Sequence, residues 1–87
     1  EIKEEIQSMY SQYNLGKCYE NGNGVEKDLE IAFSLYYKSA NSGDMVAANN
    51  LSNCYQRGIG TQKNPKGAFT WKKKVAKRNI SEIIRCL

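Results

Sequence analysis

An all-α fold, a solenoid of tandem antiparallel helix–loop–helix hairpins, is the class that this sequence predicts, on three observations. The chain repeats itself without gaps at an offset of 36 residues. Within each repeat, apolar and small residues recur at the spacing of one helical face. Between the helical stretches stand paired glycines and side chains suited to cap a helix start. A repeat of this length marks a unit that cannot bury its own apolar face, so neighbouring units must stack on one another.

The repeat is read most directly from Asn14, where N-L-G-K-C-Y-E-N-G-N-G-V-E-K-D returns from Asn50 as N-L-S-N-C-Y-Q-R-G-I-G-T-Q-K-N. Leu15 meets Leu51, Cys18 meets Cys54, Tyr19 meets Tyr55, and Gly22 and Gly24 meet Gly58 and Gly60. Further on, Ala32, Phe33, Lys38 and Ala40 meet Ala68, Phe69, Lys74 and Ala76. The register extends outward, with Met9 on Met45 and Leu87 on Leu51. The whole chain 1–87 therefore reads as one repeat segment: the end of a framework over 1–13, units over 14–49 and 50–79, and the opening of a further unit over 80–87.

Taken in order, the first helix of the first unit presents Ser11, Leu15, Cys18 and Tyr19 at i, i+4, i+7 and i+8, a candidate core face. Gly22-x-Gly24 ends it, because glycine tolerates the left-handed conformation of a helix terminus. Asp28 is placed to cap the second helix, which presents Ala32, Leu35, Tyr36, Ser39 and Ala40 to the core. Ser42-Gly43-Asp44 closes the unit and opens the next helix. In the second unit Asn64 takes the capping place and Pro65 the first helical position, where its missing N–H costs nothing. Its second helix presents Ala68, Trp71, Val75 and Ala76, with the inter-helix turn expected at Asn79. These helices are short, and isolated helices below about 12–15 residues are marginal in water, so stacking must stabilise them. Gly16 and Ser52 supply the small surface that close helix approach needs.

Composition narrows the function. The 87 residues are 40% hydrophobic and 25% charged, ordinary for a globular chain and too apolar for a disordered one. No apolar run approaches the roughly 20 residues needed to cross a bilayer. There is no histidine, which removes Ser-His-Asp and Cys-His catalysis and most zinc sites. The carboxylates Glu4, Glu5, Glu20, Glu26, Asp28 and Glu30 are spread along the early chain without a paired base or nucleophile. No enzyme activity, cofactor or metal is expected. The chain opens at Glu1 with neither an initiator Met nor a secretory signal, and reads as a segment of something longer.

The pattern A-x-x-N-L-G-x-x-Y-x-x-G-x-G-V-x-x-D-x-x-x-A-F-x-L-Y-x-K-S-A-x-x-G, running here from Ser11 to Gly43, resembles the Sel-1-like repeat family, relatives of the tetratricopeptide repeats. The G-x-G loop followed by a cap at a 36-residue period is its most specific part. Departures are Ser11 in place of Ala, Ser52 in place of the glycine at 16, and Gly67 and Lys72 where a better helix former and an aromatic are usual. Gly67 is expected to cost its helix about 1 kcal/mol relative to Ala, and Lys72 to loosen the second unit. The resemblance implies a tetratricopeptide-like superhelix serving as a non-catalytic adaptor or scaffold for protein or peptide partners, for example in signal transduction. It also implies an alternative: a regulatory tail of a larger enzyme, such as a protein kinase, whose catalytic domain lies outside this segment. Further repeats or domains are expected in the parent chain, in the cytoplasm, with the ER lumen as the alternative.

By analogy with the peptide-binding concave face of tetratricopeptide repeats, the candidate contact residues are Tyr10, Tyr13, Lys17 and Glu20 on one first helix and Val46, Asn49, Asn53 and Gln56 on the next. Aromatic anchors and adaptable amides recur in binding surfaces, although the same residues also suit a solvated face. Cys18 and Cys54 repeat at the offset and read as small buried hydrophobes; first helices about 8–10 Å apart favour reduced thiols over a bridge. Cys86 has no cysteine counterpart. Lys72, Lys73, Lys74, Lys77 and Arg78 concentrate positive charge, but only Lys73 and Lys77 share a face, and no aromatics interleave them, so nucleic acid is not expected as a partner. Asn50-Leu51-Ser52 and Asn79-Ile80-Ser81 match the glycosylation pattern; Asn50 sits in a predicted helix and is a poor acceptor.

Overall fold

The computed structural model describes the backbone of residues 2–86 and the side-chain surroundings of residues 11–78. Four helices follow one another: α1 (Ile2–Asn21), α2 (Leu29–Asn41), α3 (Met45–Arg57) and α4 (Pro65–Cys86), with no strand among the described residues. α1 packs on α2 and α3 on α4 as two antiparallel hairpins, and α2 packs on α3 across the boundary between them. The body is flat, 45 × 33 × 15 Å. The all-α hairpin architecture is the one that the periodicity predicts.

Each boundary has a local cause. Asp28 Oδ1 accepts from the backbone N–H of Glu30 and Ile31 at 3.1 and 3.2 Å, Asp44 Oδ1 from Val46 and Ala47 at 2.9 and 3.3 Å, and Asn64 Oδ1 from Gly67 at 3.1 Å. These are the donors that a helix start leaves without intrahelical partners. The two G-x-G loops superpose at the level of hydrogen bonds: Asp28 N donates to Tyr19 O in one and Asn64 N to Tyr55 O in the other, 36 residues apart. Gly22 and Gly58 both sit at φ +72°, and Gly24 and Gly60 at +77° and +71°. All four are glycine because L side chains rarely adopt that conformation.

The core lies between α2 and α3. Ala32, Tyr36, Ala40, Ala47, Ala48, Leu51 and Cys54 are buried together, with Ser39 and Ser52. Ser39 Oγ donates to Asp44 Oδ2 at 3.2 Å and Ser52 Oγ to Ala68 O at 3.0 Å, so neither hydroxyl is buried without a partner. A run of rings crosses the unit boundary: Tyr55 meets Phe33 edge-on at 5.3 Å, Phe33 meets Tyr37 at 6.2 Å, and Tyr37 meets Trp71 edge-on at 6.2 Å. Such pairs contribute about 0.5–1.5 kcal/mol each beyond area burial.

Four expectations need correction. Leu15 and Ser11 are exposed, whereas their counterparts Leu51 and Ala47 are fully buried, because among the described residues α3 is packed between α2 and α4 while α1 packs chiefly on α2. Cys18 is half-buried for the same reason, unlike Cys54. Ala76 is exposed where Ala40 is buried, since among the described residues no helix follows α4 as α3 follows α2. Lastly, the turn expected at Asn79 does not form: α4 continues through it to Cys86. In the first unit that turn uses Gly43 at φ +107° and the Asp44 cap, and the counterparts are Asn79 and Ile80, which supply neither a glycine nor an acceptor. The side chains of Tyr10, Asn79 and Cys86 lie outside the described residues, as do Met9 and Leu87 in the sequence register.

Candidate protein-interaction surface

A helix buried on one face presents the other, and α3 does this most clearly. Ala47, Ala48, Leu51, Ser52 and Cys54 point inward, while Val46, Asn49, Asn53 and Gln56 are exposed, Val46 to 54%. The positions i, i+3, i+7 and i+10 of these four place them along one stripe. On α1 the corresponding Tyr13, Lys17 and Glu20 are half-buried. Asn50 bridges the two helices, its Nδ2 donating to Tyr13 Oη at 3.4 Å. Of the eight sequence-predicted contacts, Val46, Asn49, Asn53 and Gln56 share an exposed stripe of α3, Tyr13, Lys17 and Glu20 are half-buried on α1, and Tyr10 lies outside the described side chains.

The α1 residues are tied into the fold more firmly than sequence alone suggested. Tyr36 Oη donates to Glu20 Oε1 at 2.5 Å, and Lys17 Nζ stands 4.0 Å from the same oxygen. Tyr13 rests on the Tyr36 ring at 5.7 Å. Burial first, then the hydrogen bond to Glu20 and its charge, push the Tyr36 hydroxyl far above the usual tyrosine range. Burial likewise pushes the Cys54 thiol up to about 11, with the Glu20 charge adding to the rise and Lys17 opposing it. A thiol held neutral in this way is a poor nucleophile.

Sequence reasoning missed a compensation between the units. Tyr36 and Glu20 have Lys72 and Gln56 as their counterparts, and Lys72 Nζ donates to Gln56 Oε1 at 3.0 Å. The tyrosine ring needs a glycine beneath it: a Cβ on Gly16 would lie 2.8 Å from Tyr36 Cε1. Where Lys72 replaces the ring, Ser52 replaces the glycine. Reading the four positions 16, 36, 52 and 72 together was the signal available. Gly67 also has a reason, since a Cβ there would stand 3.2 Å from Tyr55 Cγ and 3.1 Å from the capping Asn64 amide. The lysines of α4 are exposed and point different ways: Lys74 Nζ lies 4.3 Å over the Trp71 ring, and Lys72 reaches Gln56. Among the described residues no group of His, Cys, Asp and Glu could hold a metal ion.

Two stacked hairpins with matching G-x-G loops and caps make a family assignment testable, and the family model described as "Sel1 repeat" matches twice, over residues 10–44 and 46–79. The chain belongs to the Sel1 repeat family. A Sel1 repeat protein from Oxalobacter formigenes shares 39% identity at a TM-score of 0.78, covering 82% of this chain and 29% of that one. Helicobacter pylori cysteine rich protein B (hcpB) shares 33% identity at 0.78, covering 84% and 55%. The chain therefore spans about a third to about half of these relatives. No curated protein sequence matches it. Sel1 repeats are in general helical scaffolds for protein interaction and typically non-catalytic. No helix among the described residues is long and apolar enough to cross a membrane.

Proposed function

We propose that this Sel1 repeat segment is an adaptor that holds a protein or peptide partner against the outward faces of α1 and α3. The observation that carries the reading is the α3 stripe: an exposed valine and three exposed amide side chains beside the Tyr13–Asn50 link, on a helix whose opposite face is fully buried. Amides donate and accept, so they suit main-chain groups of an extended segment, while Val46 and Tyr13 offer apolar contact. The groove is Tyr10, Tyr13, Lys17 and Glu20 on one side and Val46, Asn49, Asn53 and Gln56 on the other. Free thiols at Cys18 and Cys54 favour a cytoplasmic setting.

The test is affinity capture with the parent protein carrying Asn49→Ala and Asn53→Ala, beside a control pair outside the stripe, Lys63→Ala in the α3–α4 loop and Lys66→Ala in the first turn of α4. All four side chains are exposed, so folding is spared. Partners lost with the asparagine pair and kept with the lysine pair support the groove. Partners retained by both variants refute it.

A further inference from the structure

Where α2, the α2–α3 turn, α3 and α4 converge, a cleft opens at the boundary between the two units. Two buried alanines, Ala40 at the end of α2 and Ala48 in α3, form its floor. Met45, Trp71 and Val75, all half-buried, form apolar walls. Lys74 and Arg78 stand exposed at the rim, neighbours on α4 at i and i+4. The volume is about 250 Å³. That is below the roughly 300–1,000 Å³ of drug-sized sites and above the roughly 150 Å³ that holds a benzene ring. One ring or one short chain with a small polar group fits it.

The repeat does not explain the α4 side of this cleft. At the places of Trp71, Val75 and Arg78 the first unit has Leu35, Ser39 and Ser42, and only Lys74 has a like counterpart, Lys38. The charged groups are each placed by the fold. Lys74 Nζ lies 4.3 Å over the Trp71 ring. The Arg78 guanidinium crosses the turn at Gly43, where a Cβ would stand 3.0 Å from Nη1. Asp44 also lines the cleft, but both of its oxygens serve the fold: Oδ1 accepts from Val46 and Ala47 N–H, and Oδ2 from the Ser39 hydroxyl. A guanidinium has five N–H donors and an ammonium three, so Arg78 and Lys74 can keep other partners and still hold an anion. A dianion such as phosphate would sit against the Asp44 charge and gain nothing from the apolar walls. A carboxylate carries one charge, and its apolar body can lie on Trp71 and Val75.

We infer that this cleft binds a single apolar ring or chain ending in a carboxylate, the apolar part over Ala40 and Ala48 and the carboxylate between Lys74 and Arg78. That chemistry occurs in free aromatic acids and at the C-terminus of a protein ending in an apolar residue. The cleft includes none of the α3 stripe residues, so either reading survives failure of the other.

Trp71 is the only tryptophan in the chain, so its fluorescence reports on the cleft directly. The probes are 3-phenylpropionate, its neutral amide, and N-acetylglycylphenylalanine with a free terminal carboxylate. 3-Phenylpropionate is expected to change the Trp71 emission with a Kd of about 1 mM at low salt, the range open to so small a ligand. The amide should bind at least about fivefold more weakly. Lys74→Gln together with Arg78→Gln, both at exposed positions, should leave the helicity by circular dichroism unchanged and bring acid and amide to the same weak affinity. Tighter binding of the peptide than of the free acid assigns the ligand to a protein C-terminus; equal or weaker binding assigns it to a free acid. No Trp71 response to the acid up to about 20 mM, an amide that binds as well as the acid, or a double variant that keeps the preference for the acid would each overturn the proposal.

Discussion

The paired loop glycines allow the unit boundary to be probed by one substitution made twice. Gly24→Ala and Gly60→Ala change the same repeat position, at φ +77° and +71°, in loops with the same hydrogen bonds. Both put an L residue in the left-handed region, at about 1–2 kcal/mol, and both gain about 0.4–1 kcal/mol by restricting the unfolded chain. These contributions cancel in the comparison. What differs is the surroundings. The Gly24 methyl meets nothing within 4 Å, whereas the Gly60 methyl would lie 2.0 Å from Leu29 O, 2.7 Å from Leu29 C and 3.0 Å from Phe33 Cβ. A backbone carbonyl in the first turn of α2 cannot step aside, so the loop must lift off the first unit and pull Tyr55 from Phe33. Overpacking of this kind costs about 1–3 kcal/mol, occasionally more. The whole chain holds only roughly 4–13 kcal/mol at 0.05–0.15 kcal/mol per residue. Gly24→Ala should therefore cost about 1 kcal/mol or less and Gly60→Ala about 3 kcal/mol, a gap of roughly 10 °C or more in melting temperature for a domain of this size. Thermal melts followed by circular dichroism at low protein concentration measure it. Equal losses, or a larger loss for Gly24→Ala, would refute the claim that the second loop is clamped by the first unit.

The Gly16–Tyr36 and Ser52–Lys72 pairs predict strong coupling. Gly16→Ser alone should cost about 1–3 kcal/mol by overpacking against the ring, and Tyr36→Lys alone about 3–5 kcal/mol. The double variant, which copies the second unit, should lose at least 1 kcal/mol less than the sum, as read from urea midpoints, and simple additivity would contradict the compensation. The pH dependence follows from the raised thiol and hydroxyl groups. The Cys54 thiol goes from 9.0 to about 11, and Tyr36 and Tyr55 are also raised by burial. The unfolded chain loses these protons first, so stability is fully present below pH about 9 and falls as pH rises through 11. Urea unfolding at pH 7.5 and 10.5 should show a lower midpoint at the higher pH, and Cys54→Ala should shrink that difference by on the order of 2 kcal/mol. A pH-independent midpoint would show that these groups titrate alike in both states.

Much of the fold was legible because its causes are local. A cap needs one acceptor beside a helix start, a loop needs glycine at positive φ, and a helix face needs only its spacing. Asp28, Asp44, Asn64, Pro65 and the four loop glycines were therefore readable one by one. The lost turn at Asn79 was readable too, from the missing glycine and acceptor at 79 and 80, had those positions been weighed against Gly43 and Asp44. The exposure of Val46, Asn49, Asn53 and Gln56 was legible from periodicity, since the face of α3 opposite its buried one is left to solvent.

Burial itself was decided by the tertiary structure. Leu15 and Leu51 are the same residue at the same repeat position, yet one is 44% exposed and the other fully covered. The amino-acid sequence determined that both would lie on a helix face shaped for a neighbour. Whether a neighbour is there depends on the position of the unit in the stack, and no side chain encodes that alone. The same holds for Gly16 and Ser52, whose sizes make sense only once the ring or the lysine across the hairpin is in place. Local chemistry chose the hairpins, and contact between hairpins chose the core.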